Sequence, residues 1–291
     1  MYQEHAIDPA LRNVAVCTWQ HSSCLASRSK VVPDACVDIV WDGARLSLAG
    51  PDTGPVEVAM RAGTQILGLR FAPGAAGTLL GVPANAVRDA RVPLQELWGD
   101  DALQLEESLQ RAHGPHAALR EMEAALRARV STSAAVDPVA SAVAHALRPR
   151  LDLTAPHASI GSDRSPPRLQ RDSLAGLQIQ LAGASPLSAA ADHRRWTAGA
   201  AVPTVAQLSA ALGVSERQLL RRCDAAFGYG PKLLARVLRF QAFVRALRVH
   251  PQLALAELAL ELGYTDQAHL AHDTAELAGQ TPSQLRARWS E

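Results

Sequence analysis

The sequence predicts a two-domain fold. It consists of an α+β N-terminal domain, small, β-rich and extended by helices, followed by an all-α C-terminal domain with two helix–turn–helix units joined by a long helix. Three observations predict it: one leucine–glycine–proline pattern is written twice between Thr204 and Arg286, short strand-like segments fill the first hundred residues, and the stretch between them lacks periodicity. A repeated pattern indicates one supersecondary unit used twice. A chain of 291 residues is long enough for two domains.

Residues 1–100 are predicted to form the β-rich domain. Short apolar segments bounded by turn residues favour strands. They are Val14–Trp19, Cys36–Trp41, Arg45–Leu48, Val56–Met60 and Ile66–Phe71. Asp42-Gly43 is a hairpin signal between two of them, and Ala75–Leu80 is predicted to be a short helix.

Residues 101–147 are predicted to form a helical extension. Asp101–Gln110 and Pro115–Val130 have amphipathic helical spacing, and Pro138–Leu147 is predicted to be a third helix. Their apolar faces either pair two subunits or pack within one, and both interpretations stay open. Residues 148–202 contain Ser-Pro-Pro and Ala-rich runs without helical or strand periodicity, which is typical of a flexible linker or insertion.

Residues 203–291 are predicted to form the domain with the repeat. In its first unit, Thr204 is expected to cap a helix with Gln207 as its capping-box partner, and Gly213 provides the positive φ of a sharp helix end. Ser215 is expected to cap the next helix, with Cys223 on its inward face as a small core residue.

The second unit follows the same logic, with Gly263 ending its first helix and Asp266 capping the next. Pro231 begins the connecting helix, which is predicted to run to about Val249. About eighteen residues at ~1.5 Å each give roughly 27 Å, the right order to hold two helices one DNA turn apart.

The charge distribution favours a nucleic-acid partner for the first unit. The whole chain has a net charge of only +1, but residues 204–250 hold eight basic and two acidic residues, whereas residues 251–291 hold two basic and six acidic ones. Arginines on the outward face of a helix can bond guanine in the major groove. The candidate DNA-binding residues are Ser215, Arg217, Gln218, Leu220, Arg221, Arg222, Gln267, His269 and His272. Asp224 is also predicted on the outward face of the first unit.

Four segments carry a family resemblance, and they are Ser215–Arg222, Gly228–Lys232, Leu258–Tyr264 and Gly279–Pro282. With the connecting helix, they resemble the DNA-binding module of AraC-type transcriptional regulators. The resemblance implies a regulator that binds double-stranded promoter DNA in a sequence-specific way. The lack of a membrane span, a signal peptide and a catalytic motif predicts that this regulator is cytoplasmic and has no enzymatic activity. It also implies contacts with RNA polymerase and a homodimer, since helices at the place of residues 101–130 commonly pair subunits in this family.

Thr274 departs from the family, which usually has a large apolar residue there, so loose packing of the second unit is expected.

Segments of the first hundred residues resemble an N-terminal domain that often precedes AraC-type modules. They are Val32–Trp41, Ala49–Pro51, Gly68–Gly74 and Pro93–Gly99. This resemblance implies a sensory domain for an unknown small-molecule effector, and it assigns no site residue. Asp34, Asp38 and Arg70 either form a polar ligand pocket or pair with one another.

Other function classes have weaker support in the sequence. Cys17, Cys24 and Cys36 have spacings that suit a zinc site poorly, so no metal and no cofactor are expected. A thiol sensor using Cys17 or Cys36 and a DNA-repair methyl acceptor are weaker alternatives, and an adaptor that binds proteins through a drifted module is the main one. The chain has no apolar run long enough to span a membrane and no signal-peptide core near Met1, so no membrane partner is expected.

Overall fold

The computed structural model describes residues 1–149 and 202–287. The predicted linker, apart from its ends, lies outside the described residues. None of the helices in the described ranges is long and apolar enough to cross a bilayer.

The N-terminal region contains two antiparallel sheets. Its strands are β1 Tyr2–Ala6, β2 Ala15–Ser23, β3 Ser27–Val31, β4 Asp38–Trp41, β5 Leu46–Ala49, β6 Val56–Met60, β7 Thr64–Phe71 and β8 Arg91–Pro93. The larger sheet has the order β1-β2-β7-β4-β5-β8, and β3 pairs with β6 in a second, two-stranded sheet. Helices follow, namely α1 Ala76–Leu80, α2 Gln95–Trp98, α3 Asp100–Arg111, α4 Pro115–Thr132 and α5 Pro138–Ala146, with a short 3-10 helix at Ala84–Val87.

The five predicted strands and the helices are confirmed within a few residues, but β1, β3 and β8 were not predicted. Two of the three, Tyr2–Ala6 and Ser27–Val31, consist mostly of polar or charged residues. They lack apolar alternation because each pairs on one side only and leaves much of its surface to solvent. Backbone hydrogen bonds to a neighbouring strand therefore specify them more than their side chains do.

The two faces of the larger sheet have different neighbours. Ile39 and Leu69 represent the face that packs in a core with α3 and α4. The alternate residues on β2 and β4, such as Trp19 and Asp38, line a cavity beneath the two-stranded sheet. The sheet thus separates an apolar core from a partly polar cavity.

Arg70 is fully buried among carboxylates. Its guanidinium donates to Asp38 at 3.0 and 2.9 Å and lies 3.4 Å from Asp34 and 3.6 Å from Glu4. Trp19 Nε1 also donates to Asp38 at 3.1 Å. Asp34, Asp38 and Arg70 therefore pair with one another, and the two aspartates also line the cavity.

The C-terminal region is helical. Its elements are α6 Val205–Leu212, α7 Glu216–Phe227, α8 Pro231–Val249, α9 Leu255–Glu261, α10 Gln267–Ala278 and α11 Pro282–Ala287. Both predicted capping residues, Thr204 and Ser215, form complete capping boxes, and Asp266 caps α10. Two helix pairs, α6–α7 and α9–α10, are joined by α8, which has the predicted bounds.

The apolar faces of the helical extension are used within the chain. Leu105, Leu119 and Leu126 lie in the core beneath the larger sheet, where each is at least 95% buried. The sequence left open whether these side chains pair two subunits or pack within one. In the structure they pack within one subunit. Helix α5 packs elsewhere, since Ala140 and Val143 join the core of the C-terminal helices.

The two regions share that second core. Val32 and Ala35, from the segment before β4, belong to the same cluster of buried residues as Phe227 and Tyr229. Gln241 of α8 also donates to the carbonyl of Pro33 at 2.6 Å. The structure therefore packs the start of the chain against its C-terminal helices.

Candidate nucleic-acid interface

The candidate interface is centred on α7, whose two sides differ sharply. Leu219, Cys223 and Phe227 are at least 99% buried on the inward side. Arg217, Leu220 and Arg221 are exposed on the outward side. The spacing of three and four residues along a helix produces this division, as the sequence predicts.

The first turn of α7 is held by its capping box. Ser215 Oγ accepts from Gln218 N at 3.2 Å, and Gln218 Oε1 accepts from Ser215 N at 3.0 Å. Both side chains are exposed but used for capping, so their structural role is to fix the direction of the helix. The remaining orphan N–H groups of the first turn make this end electropositive.

Arg217 and Arg221 form the positive part of the outward face. They lie four residues apart on one side of α7, and neither has a side-chain partner within residues 1–149 and 202–287. Leu220 lies between them with 44% of its surface exposed. Two guanidinium groups and one apolar side chain are thus available together.

Arg222 and Asp224 point instead toward the N-terminal region. Arg222 donates to Asp137, the N-cap of α5, at 3.0 Å. Asp224 accepts from Asn85, and Arg88 bonds the carbonyl of Gly228 at 2.9 Å just beyond the helix end. Arg222, a candidate DNA-binding residue, and Asp224, which was predicted on the outward face, therefore both make contacts within the chain.

The packing behind α7 is close. Helix α7 contacts α1, the 3-10 helix and α5. Gly228 has φ of +81°, and a Cβ there would lie 2.6 Å from the Pro51 ring. Only glycine fits this turn, because any side chain would collide with the β5–β6 connection.

The corresponding residues of α10 offer less free charge. Gln267 is exposed at the first position of the helix. His269 lies edge-on to the Tyr264 ring and close to Thr265, and His272 lies 3.2 Å from Glu276. The two histidines are thus engaged with neighbours on their own helix pair.

A buried ionic network holds α10 against α8. Asp273, 1% exposed, accepts from Arg236 at 2.9 Å and from Arg239 at 3.3 Å, and Arg236 also pairs with Glu276. Thr274 is fully buried, and its hydroxyl donates to the Leu270 carbonyl at 2.7 Å. The buried hydroxyl of Thr274, where a large apolar side chain was expected, is therefore hydrogen-bonded.

Three of the four cysteines, Cys17, Cys36 and Cys223, are buried as core residues, whereas Cys24 is exposed. Burial raises the pKa of Cys223 to about 12 and raises the pKa values of Cys17 and Cys36 as well. Thiols in such surroundings stay protonated near neutral pH, which disfavours nucleophilic chemistry. Within residues 1–149 and 202–287, no group of three or more His, Cys, Asp or Glu side chains could hold a metal ion.

The residues that hold α7 in place were not predicted from the sequence. Asn85, Arg88 and Asp137 are distant from α7 in sequence and carry no motif. Asp137 had one readable signal, since Asp137-Pro138 is a typical helix start. That signal predicts that Asp137 caps α5, but it does not predict that Arg222 bonds the same carboxylate.

Comparisons with known families match both regions of the chain. Residues 208–288 match a family described as a helix-turn-helix domain. Residues 3–93 match a family described as a domain of unknown function (DUF6597). No curated protein sequence matches the chain.

Several solved structures are also similar. The C-terminal domain of AraT, a response regulator from Geobacillus stearothermophilus, is 22% identical over 31% of this chain and 74% of that one, with a TM-score of 0.30. ToxT from Vibrio cholerae O395 is 8% identical over 99% of this chain and 98% of that one, with a TM-score of 0.40. A second structure of ToxT from Vibrio cholerae is 8% identical over 98% of each chain, with a TM-score of 0.39.

Proposed function

We propose, on the premise that the C-terminal region is an AraC-type helix-turn-helix domain, that this chain is a transcriptional regulator which binds specific sequences in double-stranded promoter DNA. The observation that carries the proposal is the outward face of α7. It presents Arg217, Leu220 and Arg221 on a helix whose opposite side is buried.

In the proposed complex α7 lies in the major groove. Each guanidinium can donate two hydrogen bonds to O6 and N7 of guanine, and Leu220 can contact a thymine methyl group. We expect Ser215 and Gln218, at the N-terminal end of the helix, to face the phosphate backbone, because the helix dipole favours negative charge there. Lys232, exposed at the start of α8, adds attraction that is independent of sequence.

The second helix pair is proposed to have a supporting role. Gln267, His269 and His272 are its candidate contacts, but the two histidines already have neighbours. Because the acidic balance of residues 251–291 opposes phosphate approach, we infer that α7 supplies most of the affinity and base preference.

The experiment is a DNA-binding titration with the full chain. Duplexes that bind are first selected from a random library, and their dissociation constants are then measured by fluorescence anisotropy at one fixed salt concentration. Arg217→Ala and Arg221→Ala should each weaken binding by about 1–3 kcal/mol and relax the base preference at one position. Arg61→Ala, which removes an exposed arginine from the β6–β7 turn, is the matched control and should change binding little.

Unchanged binding by both α7 variants would show that this helix does not read DNA. Absence of any salt-dependent duplex binding would favour the alternative of a protein-binding adaptor.

A further inference from the structure

The N-terminal region contains a cavity of about 410 Å³ between its two sheets. Side chains of β2 and β4 form one wall, and residues of β3 and β6, including Val31, Val56 and Val58, form the other. Cavities that hold small molecules in proteins have volumes of about 300–1,000 Å³ and mostly apolar walls. The cavity has the size and lining of a small-molecule site.

The floor of the cavity is shaped by Trp19 and Gly68, which are paired across β2 and β7. A Cβ at Gly68 would lie 2.2 Å from the Trp19 ring. The missing side chain therefore lets the indole lie across the neighbouring strand, where it offers a flat aromatic surface to the cavity.

One end of the cavity carries excess negative charge. Asp38 is saturated by Arg70 and Trp19, and Asp52 is paired with Arg91 through two hydrogen bonds of 2.8 Å. Asp34 shares the single charge of Arg70 with Asp38, because Arg70 Nε lies 3.4 Å from Asp34 whereas its hydrogen bonds go to Asp38; the other oxygen of Asp34 accepts from Cys36 N at 2.9 Å.

Glu4 adds a third carboxylate around Arg70, and Arg248 of α8 balances part of its charge. Burial raises the pKa of Asp34 to about 6, so its carboxylate is mostly ionised at pH 7.5. Among the three aspartates that line this end, Asp34 is the farthest from its cation, at 3.4 Å against 2.9 Å for Asp38 and 2.8 Å for Asp52, so an incoming cation meets least competition there.

Further along the cavity, two buried polar side chains lack hydrogen bonds. His21 is 7% and Ser29 is 6% exposed, and neither makes a side-chain hydrogen bond within the described residues. Burial lowers the pKa of His21 to about 4, so its neutral ring offers one donor and one acceptor. Both side chains line the cavity, where their polar atoms can hydrogen-bond a bound molecule.

The sheet register gives the distance between the acidic end of the cavity, at the level of Asp38, and the polar side chain of His21. Asp38 pairs with Arg70, and His21 pairs with Ile66, four residues away along β7. At ~3.4 Å per residue the two levels lie roughly 14 Å apart, with Trp19 between them. A ligand that reaches both would be longer than a single ring.

We propose that this cavity binds a small aromatic or aliphatic molecule whose protonated amine pairs with Asp34 and whose apolar body lies on Trp19. A hydroxyl or carbonyl at the far end of a longer ligand would reach His21 and Ser29. Asp34 lies between Val32 and Cys36, in the segment that packs against α8. If the proposed DNA-binding function holds, this segment links the cavity to α7, but ligand binding itself requires no DNA.

The test uses three probes of similar shape and different charge: phenethylamine, 2-phenylethanol and 3-phenylpropanoate. Binding to the full chain is measured at pH 7.5 by calorimetry and by tryptophan fluorescence. Phenethylamine should bind about tenfold or more tightly than the alcohol, which corresponds to one well-placed ion pair, and the carboxylate should bind most weakly. This comparison on the unaltered chain needs no variant.

Asp34→Asn should then bring the amine and the alcohol to within about threefold of each other. Glu121→Gln, which neutralises an exposed carboxylate on α4, is the matched control and should keep the preference. Equal binding of the three probes, binding of none of them, a preference for the carboxylate, or an amine preference that survives Asp34→Asn would each overturn the proposal.

Discussion

Arg222 of α7 and Val139 of α5 donate to the same oxygen of Asp137, at 3.0 and 2.9 Å. Asp137 therefore caps α5 and binds the candidate DNA-reading helix with one carboxylate. This contact joins the N-terminal region to α7 on the side away from Arg217 and Arg221. The orientation of the outward face thus depends on residues far from it in sequence.

The Arg222–Asp137 pair should contribute a small, measurable coupling. Both side chains are about one third exposed, so the coupling free energy should be about 0.2–1 kcal/mol. It can be measured by a double-mutant cycle of Arg222→Ala and Asp137→Asn in denaturant unfolding, since asparagine keeps a capping oxygen. A control cycle of Arg221→Ala with Asp137→Asn should show no coupling. Equal coupling free energies in the two cycles would contradict the Arg222–Asp137 contact.

The shared core predicts that the two regions stay associated without a covalent connection. Residues 1–149 and 202–291, produced as separate chains and mixed, should co-elute in size-exclusion chromatography, because Val32, Ala35 and α5 bury apolar surface of α7 and α8. Charge reversal of the control residue Arg61 should leave co-elution intact. Two fragments that elute separately and are each fully stable would show that the regions are independent, as a linker of about 50 residues between them first suggests.

Features of the fold that depend on residues close together in sequence could be predicted, and those that depend on distant partners could not. The caps Thr204, Ser215 and Asp266 and the bounds of α8 could be predicted, because each depends on residues a few positions apart. The strand β1 and the docking of Asn85 on Asp224 could not, because they depend on partners that only the folded chain brings near. The same limit applies to the cavity, whose lining extends from Trp19 of β2 to Arg91 of β8.

The two candidate reading helices should differ in their effect on DNA binding. Arg217→Ala and Arg221→Ala should each cost about 1–3 kcal/mol, whereas Gln267→Ala and His272→Ala should cost less than about 0.5 kcal/mol. The reason is that the arginines are free among the described residues, while His272 is paired with Glu276. The four variants are compared on one selected duplex at one salt concentration, and equal losses from both helices would refute the asymmetry.

The buried carboxylate of Asp34 should make stability depend on pH. Burial raises its pKa from 3.8 to about 6, so the folded state holds this proton where the unfolded state releases it. The group therefore lowers the free energy of unfolding as pH rises from about 4 to 6. Asp34→Asn lacks this effect, so its stability relative to the parent chain should rise by about 1–3 kcal/mol between pH 4 and pH 7. Chemical denaturation at several pH values measures the difference, and a constant difference would show that Asp34 is not buried as described.

Adding one methyl group at Gly68 should disturb the cavity floor. In Gly68→Ala the new Cβ would meet the Trp19 ring, so the indole must move away from Asp38, at a cost of about 1–3 kcal/mol. The movement should also change the tryptophan fluorescence. Gly54→Ala is the matched control, because a Cβ there meets nothing within 4 Å. An unchanged melting temperature and spectrum for Gly68→Ala would contradict this packing.

The hydrogen bond from Gln241 to the carbonyl of Pro33 spans 208 residues of chain. On a ribosome that adds about 5–20 residues per second, the segment around Pro33 would wait roughly 10–40 s for its partner helix to be made. During that time the apolar side chains of Val32 and Ala35 have nothing from α8 to cover them. Completion of the N-terminal region should therefore be a late event in biosynthesis, and truncated chains that stop before α8 should be targets for chaperones and proteases.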